Sequence, residues 1–123
     1  MLRDQAAVAV YSPGGGFWSV TVHNPDDPPD ELLGAVVDAM RNTYEDFDVE
    51  ETHETIEGRS VPGREMNFYC LDLTNTATVR VIHSPRANYV VLCQAEDREF
   101  AELKNVFAAM TASLLKESEW LQE

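Results

Sequence analysis

The 123 residues carry 22 acidic against nine basic side chains, a formal net charge of −13 at pH 7, and 44% of them are hydrophobic. That balance describes one folded domain over 1–123, without repeats or low-complexity tracts. So acidic a surface repels phosphate backbones and anionic lipid, which excludes nucleic acid and membrane as expected partners and leaves a protein, or a second copy of the chain.

The chain opens "MLRDQAAVAVYSPGGG", with a six-residue apolar run from Ala6 to Tyr11. The run is too short for a secretory core and nothing further along is long enough to span a bilayer, so a cytoplasmic location is expected. Residues 6–12 and 17–23 flank "SPGGG" as two β-like runs, the second alternating Trp18, Val20, Val22 against Ser19, Thr21, His23. A phosphate-cradling loop needs a helix N-terminus behind it, and here a strand pattern follows. The glycines therefore predict a hairpin turn.

"NPDDPPDELLGAVVDAMRNTYEDF" has the signature of a helix. Asp27 suits the cap, Pro28 the first turn, and Asp30 and Glu31 the positive end of the dipole. Leu32, Val36 and Met40, joined by Leu33, Val37 and Tyr44, make its apolar stripe. Asp26, Asp27, Asp30 and Glu31 lack the spacing of a calcium loop. Phe47 to Ile56 alternates weakly and is heavily acidic, which suits an exposed or edge strand. Glu57 to Arg64, with Gly58, Pro62 and Gly63, predicts an exposed turn, and its Ile56-Glu57-Gly58-Arg59 matches a common engineered protease site by coincidence. Runs at 66–73, 77–83 and 88–95, joined through "TNT" and "SPRA", predict a three-stranded antiparallel meander. Val90 to Cys93 is apolar on both faces and needs cover on both sides. From Asp97 on, Phe100, Leu103, Phe107, Met110 and Leu114 recur at helical steps. The fold class expected is α+β: a three-layer α/β/α sandwich on a mostly antiparallel sheet, in the order β-hairpin, helix, strand, three-stranded meander, helix.

Chemistry-bearing residues are sparse. Cys70 and Cys93 fall on the first and third strands of the meander, roughly 9–10 Å apart, beyond disulfide reach. Buried free thiols in a reducing compartment fit that placement. His23, His53 and His83 have no zinc-ligand spacing, and there is no G-x-S-x-G elbow. No catalytic residue, metal or cofactor is assigned.

Ser19 to Val22, Asp30 to Leu32, Tyr44 with Asp46 and Phe47, the turn glycines Gly58 and Gly63, Tyr89 to Leu92, and Phe100, Phe107 and Ser113 together form a diffuse pattern over about residues 17–115. In it the chain resembles the Mog/PsbP/DcrB-like superfamily, and within it the bacterial PsbP-like proteins. The resemblance implies an α/β/α sandwich on an antiparallel sheet, in agreement with the periodicity. It also implies binding and accessory roles: relatives include an extrinsic photosystem subunit, a Ran-binding transport factor and bacterial secretion chaperones. The expected function is a non-catalytic protein-interaction or accessory module, of adaptor or chaperone type. The alternative is a small-molecule binder or enzyme with a pocket between sheet and helix, for which His83, Tyr69 or Cys93 would be the lining. Apolar spacing continues from Leu114 to Leu121, so residues 117–123 read as a C-terminal helical extension, with Trp120 and Leu121 as candidate partner-docking or self-association residues.

Overall fold

The computed structural model describes the backbone of residues 7–120 and the side chains of residues 7–117. Eight elements follow one another: β1 (Ala7–Tyr11), β2 (Phe17–His23), α1 (Pro29–Arg41), β3 (Glu45–Ile56), β4 (Arg59–Cys70), β5 (Leu73–His83), β6 (Asn88–Glu96) and α2 (Asp97–Trp120). The strands form one open sheet in the order β1-β2-β6-β5-β4-β3, antiparallel at every pairing. The described residues thus form an α+β fold with a six-stranded antiparallel sheet and two helices.

Two buried clusters divide the apolar side chains. Leu33, Val37 and Met40 of α1 pack with Met66 and Phe68 of β4, Val79 and Val81 of β5, and Val90 of β6. Phe107 and Leu115 of α2 pack with Trp18, Val20, Val61, Ile82, Val91 and Cys93. Neighbours in sequence, Val81 and Ile82 or Val90 and Val91, go to different clusters, as the two-residue period of a strand requires. The doubly apolar run at Val90–Cys93 is explained by this two-sided burial.

Several local expectations are corrected. Asp27 does not cap α1: Pro28 is the N-cap, without a side-chain hydrogen bond, and its carbonyl accepts from Glu31 N at 3.0 Å and Leu32 N at 3.1 Å. Asp27 contributes a backbone carbonyl instead, which receives Asn88 Nδ2 at 2.7 Å. Asn88 is fully buried, and its Oδ1 lies 2.7 Å from Nδ1 of His83, so a single amide holds the "NPDD" loop to the start of β6.

The turn expected over Glu57–Arg64 shrinks to Glu57 and Gly58, both at positive φ (50° and 79°), and β4 begins at Arg59. Pro62 and Gly63, read as turn residues, lie inside β4. Pro62 sits just beyond the β4–β5 ladder, which starts at Gly63, so its missing N–H costs that ladder nothing. The connection expected at "TNT" moves likewise: Leu71 and Asp72 make the turn at φ 54° and 64°, and β5 takes in all three residues. Both hairpins are two-residue turns with two positive φ values, whose twist suits the flanking strands.

The Tyr44–Asp46–Phe47 stretch closes the α1 side. Tyr44 stacks on Phe68 with centroids 4.2 Å apart, Phe47 packs on Phe68 at 6.1 Å, and the Arg41 guanidinium lies 5.2 Å over the Phe47 ring. Asp46, at φ 51°, marks an irregularity between Glu45 and Asp48 in the β3–β4 register.

Candidate functional site

α2 lies over β5 and β6 and is pinned to β2 by Trp18, whose Nε1 donates to Thr111 Oγ1 at 3.1 Å; the Thr111 hydroxyl in turn donates to Phe107 O at 2.9 Å. Toward β4 and β3 the same sheet face is left open, and an open groove of about 940 Å³ runs between it and the helix. Its helix wall carries the small side chains Ala101, Ala108 and Ala112, with Phe100 and Phe107 beneath. Its sheet wall carries Ile56 and the hydroxyls of Thr55, Thr76 and Thr78.

Contacts between the walls bound the groove at each end. Thr76 Oγ1 donates to Asp97 Oδ1 at 2.7 Å and accepts from Asn67 Nδ2 at 3.0 Å, tying the first turn of α2 to β5 and β4. At the other end Lys116 Nζ comes within 3.7 Å of Glu57 Oε1 at the β3–β4 turn. From Asp97 to Lys116 the helix rises roughly 28 Å at 1.5 Å per residue. The groove therefore has the length of an extended segment of about eight residues.

Gly63 and Arg80 shape its floor. The two are paired across β4 and β5, and a Cβ on Gly63 would fall 2.6 Å from Val79 O and 3.1 Å from Arg80 Cγ. With no side chain there, Arg80 lies across β4 toward β3, its Nε 2.8 Å from Glu54 Oε1 without being aimed at it as a hydrogen bond, its Nη1 donating to Thr78 Oγ1 at 3.3 Å. Gly63 reads as a turn glycine in the sequence; what requires glycine is this close crossing. Four carboxylates, of Glu54, Glu57, Glu65 and Asp97, line the groove against two cations, Arg80 and Lys104.

The residues singled out for a pocket are not brought together. His83 is exposed at the end of β5 and belongs to the other face, in register with Val81 and Val79. Tyr69 is exposed near the far end of β4, and Cys93 is buried under α2. None of the three lines the groove. Burial pushes the Cys93 thiol up to about 11, only partly offset by the Arg80 charge and a hydrogen bond with Thr78. Both cysteines are free, Cys70 half-buried beside the α1 cluster and Cys93 in the α2 cluster. Trp120 closes the backbone of α2; its side chain, and all of Leu121, lie outside the described residues.

The glycine loop does hold an anion, and the anion is internal. Glu99 of α2 reaches into it: Ser12 Oγ donates to Glu99 Oε2, and Gly16 N donates to Oε1 at 2.9 Å. A Cβ on Gly14 would fall 2.2 Å from Glu99 Oε2, and one on Gly16 2.8 Å from Oε1. The hairpin turn is present, with Ser12 N donating to Gly16 O at 2.8 Å and Gly15 at φ 98°. Its carboxylate partner, 87 residues from Ser12, is absent from any local pattern.

Among the described residues no group of three or more His, Cys, Asp or Glu side chains is placed to hold a metal ion, and no helix is long and apolar enough to cross a membrane. No family model matches the chain, and no curated protein matches it. Solved structures do. A Pseudomonas aeruginosa protein of unknown function, PA94, described as a candidate regulator, superposes with a TM-score of 0.66 at 8% identity, covering 89% of this chain and 82% of that one. LpqN of Mycobacterium tuberculosis, involved in cell envelope biogenesis, gives 0.46 at 14% identity, covering 86% and 79%. At such identities the likeness to PA94 is one of fold.

Proposed function

We propose that this protein is a non-catalytic interaction module, an adaptor or chaperone-like accessory protein of the cytoplasm, acting on protein partners and not on nucleic acid or membrane surfaces. Its two helices cover opposite faces of the sheet as a three-layer α/β/α sandwich, a reading supported by the two clusters of opposite strand parity. That arrangement keeps the chain within the PsbP-like resemblance noted from its sequence. The observation that carries the function is the groove: long, open, walled by alanines and threonines, and with four carboxylates to two cations. An extended basic segment of a partner fits it, its apolar side chains against Phe100 and Ile56 and its cations toward Glu65 and Asp97.

The test is fluorescence anisotropy with labelled eight-residue peptides, alternating Lys or Arg with Leu, against Glu–Leu peptides of the same length. The basic set is expected to bind in the micromolar range and to weaken as salt rises. Ala108→Trp fills the groove from its helix wall and should abolish binding without lowering the melting temperature. Equal binding of both peptide sets, or binding unaffected by Ala108→Trp, overturns the reading. Trp120 and Leu121 enter the proposal as a second docking element. Deleting residues 117–123 should reduce capture of a native partner while leaving the melt unchanged.

A further inference from the structure

The sheet has two edges, and they are chemically opposite. β3, at one edge, carries six acidic side chains in 12 residues (Glu45, Asp46, Asp48, Glu50, Glu51 and Glu54) and no lysine or arginine. A second acidic strand brought alongside it is repelled, a common way of protecting an edge. β1, at the other edge, reads Ala-Val-Ala-Val-Tyr, with all five residues exposed. It lies in a stretch, residues 5–25, that contains no Asp, Glu, Lys or Arg at all. Val8 is 56% exposed, Val10 47% and Tyr11 69%.

We propose that β1 pairs with β1 of a second copy, antiparallel about a two-fold axis through Ala9, joining two six-stranded sheets edge to edge. Charge selects the occupant. In a chain of net charge −13, two copies approach at least cost where neither carries charge, and the β1–β2 edge is that place. Pairing β1 with the β3 edge of another copy would build an open filament, but it places an apolar strand against six carboxylates. The isologous pairing closes on itself.

Registration follows from side-chain direction. Val8 and Val10 share a face with their β2 partners Val20 and Trp18, while Ala7, Ala9 and Tyr11 take the other. Directly opposite residues of an antiparallel pair point to the same side, so the axis passes through a residue. Placing it at Ala9 pairs all five residues: Ala9 with Ala9, Val8 with Val10, Ala7 with Tyr11. The joined sheet then carries a row of four valines beside the α2 cluster. Two five-residue strands make a small interface, which fits association at roughly 10–100 µM rather than a permanent dimer.

Sedimentation velocity across that concentration range tests the proposal on the full chain. The expected result is growth from the 13.8 kDa protomer to twice that mass and no further. Val8→Glu/Val10→Glu should remain monomeric throughout with an unchanged melting temperature. A wild-type protein that stays monomeric at 200 µM, a series of growing oligomers, or a dimer that survives the double substitution would each overturn it.

Disulfide trapping tests the register separately. In a Cys70→Ser background, Ala9→Cys should oxidise to a covalent dimer. Ala7→Cys should not, because its symmetry mate stands roughly 13 Å along the strand. Equal cross-linking of the two variants, or none with Ala9→Cys, overturns the two-fold at Ala9.

Discussion

The Glu99 carboxylate lies against the Ser12–Gly16 loop, which contains no cationic side chain, and draws its stabilisation from the Ser12 hydroxyl and the Gly16 N–H. Charge-assisted bonds of this kind are worth more than neutral ones. Glu99→Ala should cost about 1–2 kcal/mol, read as a fall of roughly 5 °C in melting temperature. Gly16→Ala should cost as much, because its Cβ would displace both Glu99 and Ala95. Cys93 gives a second outcome. With the thiol at about 11 against an ordinary 9.0, the native state keeps a proton that the unfolded chain releases near pH 9. Stability is therefore unaffected below pH 9 and falls as pH rises from 9 toward 11, by about 1 kcal/mol at pH 10. Urea melts at pH 8 and pH 10 should show that loss in the wild type and not in Cys93→Ala. Iodoacetamide should label native Cys93, buried and held protonated, far more slowly than the unfolded chain. The free cysteines were legible from strand spacing, and the hairpin from its glycines. Glu99 and Asn88 were not, since each acts on backbone that is remote in sequence.

The two short hairpins show how elements were legible while their joints were not. Gly63 and Pro62 look like punctuation, and Leu71-Asp72 does not; yet the former lie inside β4 and the latter turns the chain. Periodicity reports which residues share a face, whereas a joint depends on which residues tolerate left-handed backbone, and there packing can override preference. Leu71, 91% exposed, carries that strain without any burial in return. Replacing Leu71-Asp72 with Asn-Gly should stabilise the protein by about 1 kcal/mol, raising the melting temperature roughly 4 °C. The β3–β4 turn has a different consequence. Arg59 is paired with Ile56, and its guanidinium donates to His83 O. The protease specific for Ile-Glu-Gly-Arg needs several extended residues, so it should leave the native chain intact and cut after Arg59 only in urea. Within α2 the periodicity located the helix, but the deepest positions are Thr111 and Leu115, which the apolar spacing passed over. Thr111 is buried because Trp18 needs an acceptor, a requirement set by another strand.

Across the whole molecule, charge and core are segregated. The uncharged strands β1 and β2 form one end of the sheet and the acidic β3 the other, with the groove opening toward the acidic end. The continuous apolar run at Val90–Cys93 predicted two-sided burial of that strand, and the weakly alternating, acidic run at Phe47–Ile56 predicted an exposed or edge strand, which is β3 at the sheet edge. The groove was not legible, because it arises where α2 fails to cover β4 and β3, and helix placement is not encoded in spacing. Self-repulsion among 22 acids should be relieved by screening, so 0.5 M sodium chloride is expected to raise the melting temperature by roughly 2–5 °C. The same salt should weaken binding of basic peptides in the groove and leave association through β1 intact. That difference in response separates the two surfaces in one set of measurements.

The pairing of β2 with β6, in which Phe17 faces Gln94, carries a consequence for synthesis on the ribosome. The chain from β3 through β6 can zip up hairpin by hairpin as it emerges, each strand next to the one before it. The β1–β2 hairpin, although made before these strands, has no neighbour until β6 is complete, and its loop has no carboxylate until α2 begins. Two strands made before the rest of the sheet are thus secured after it. During translation β1 and β2 form an uncharged, strand-prone segment that depends on β6 and α2, from Asn88 onward, for its place.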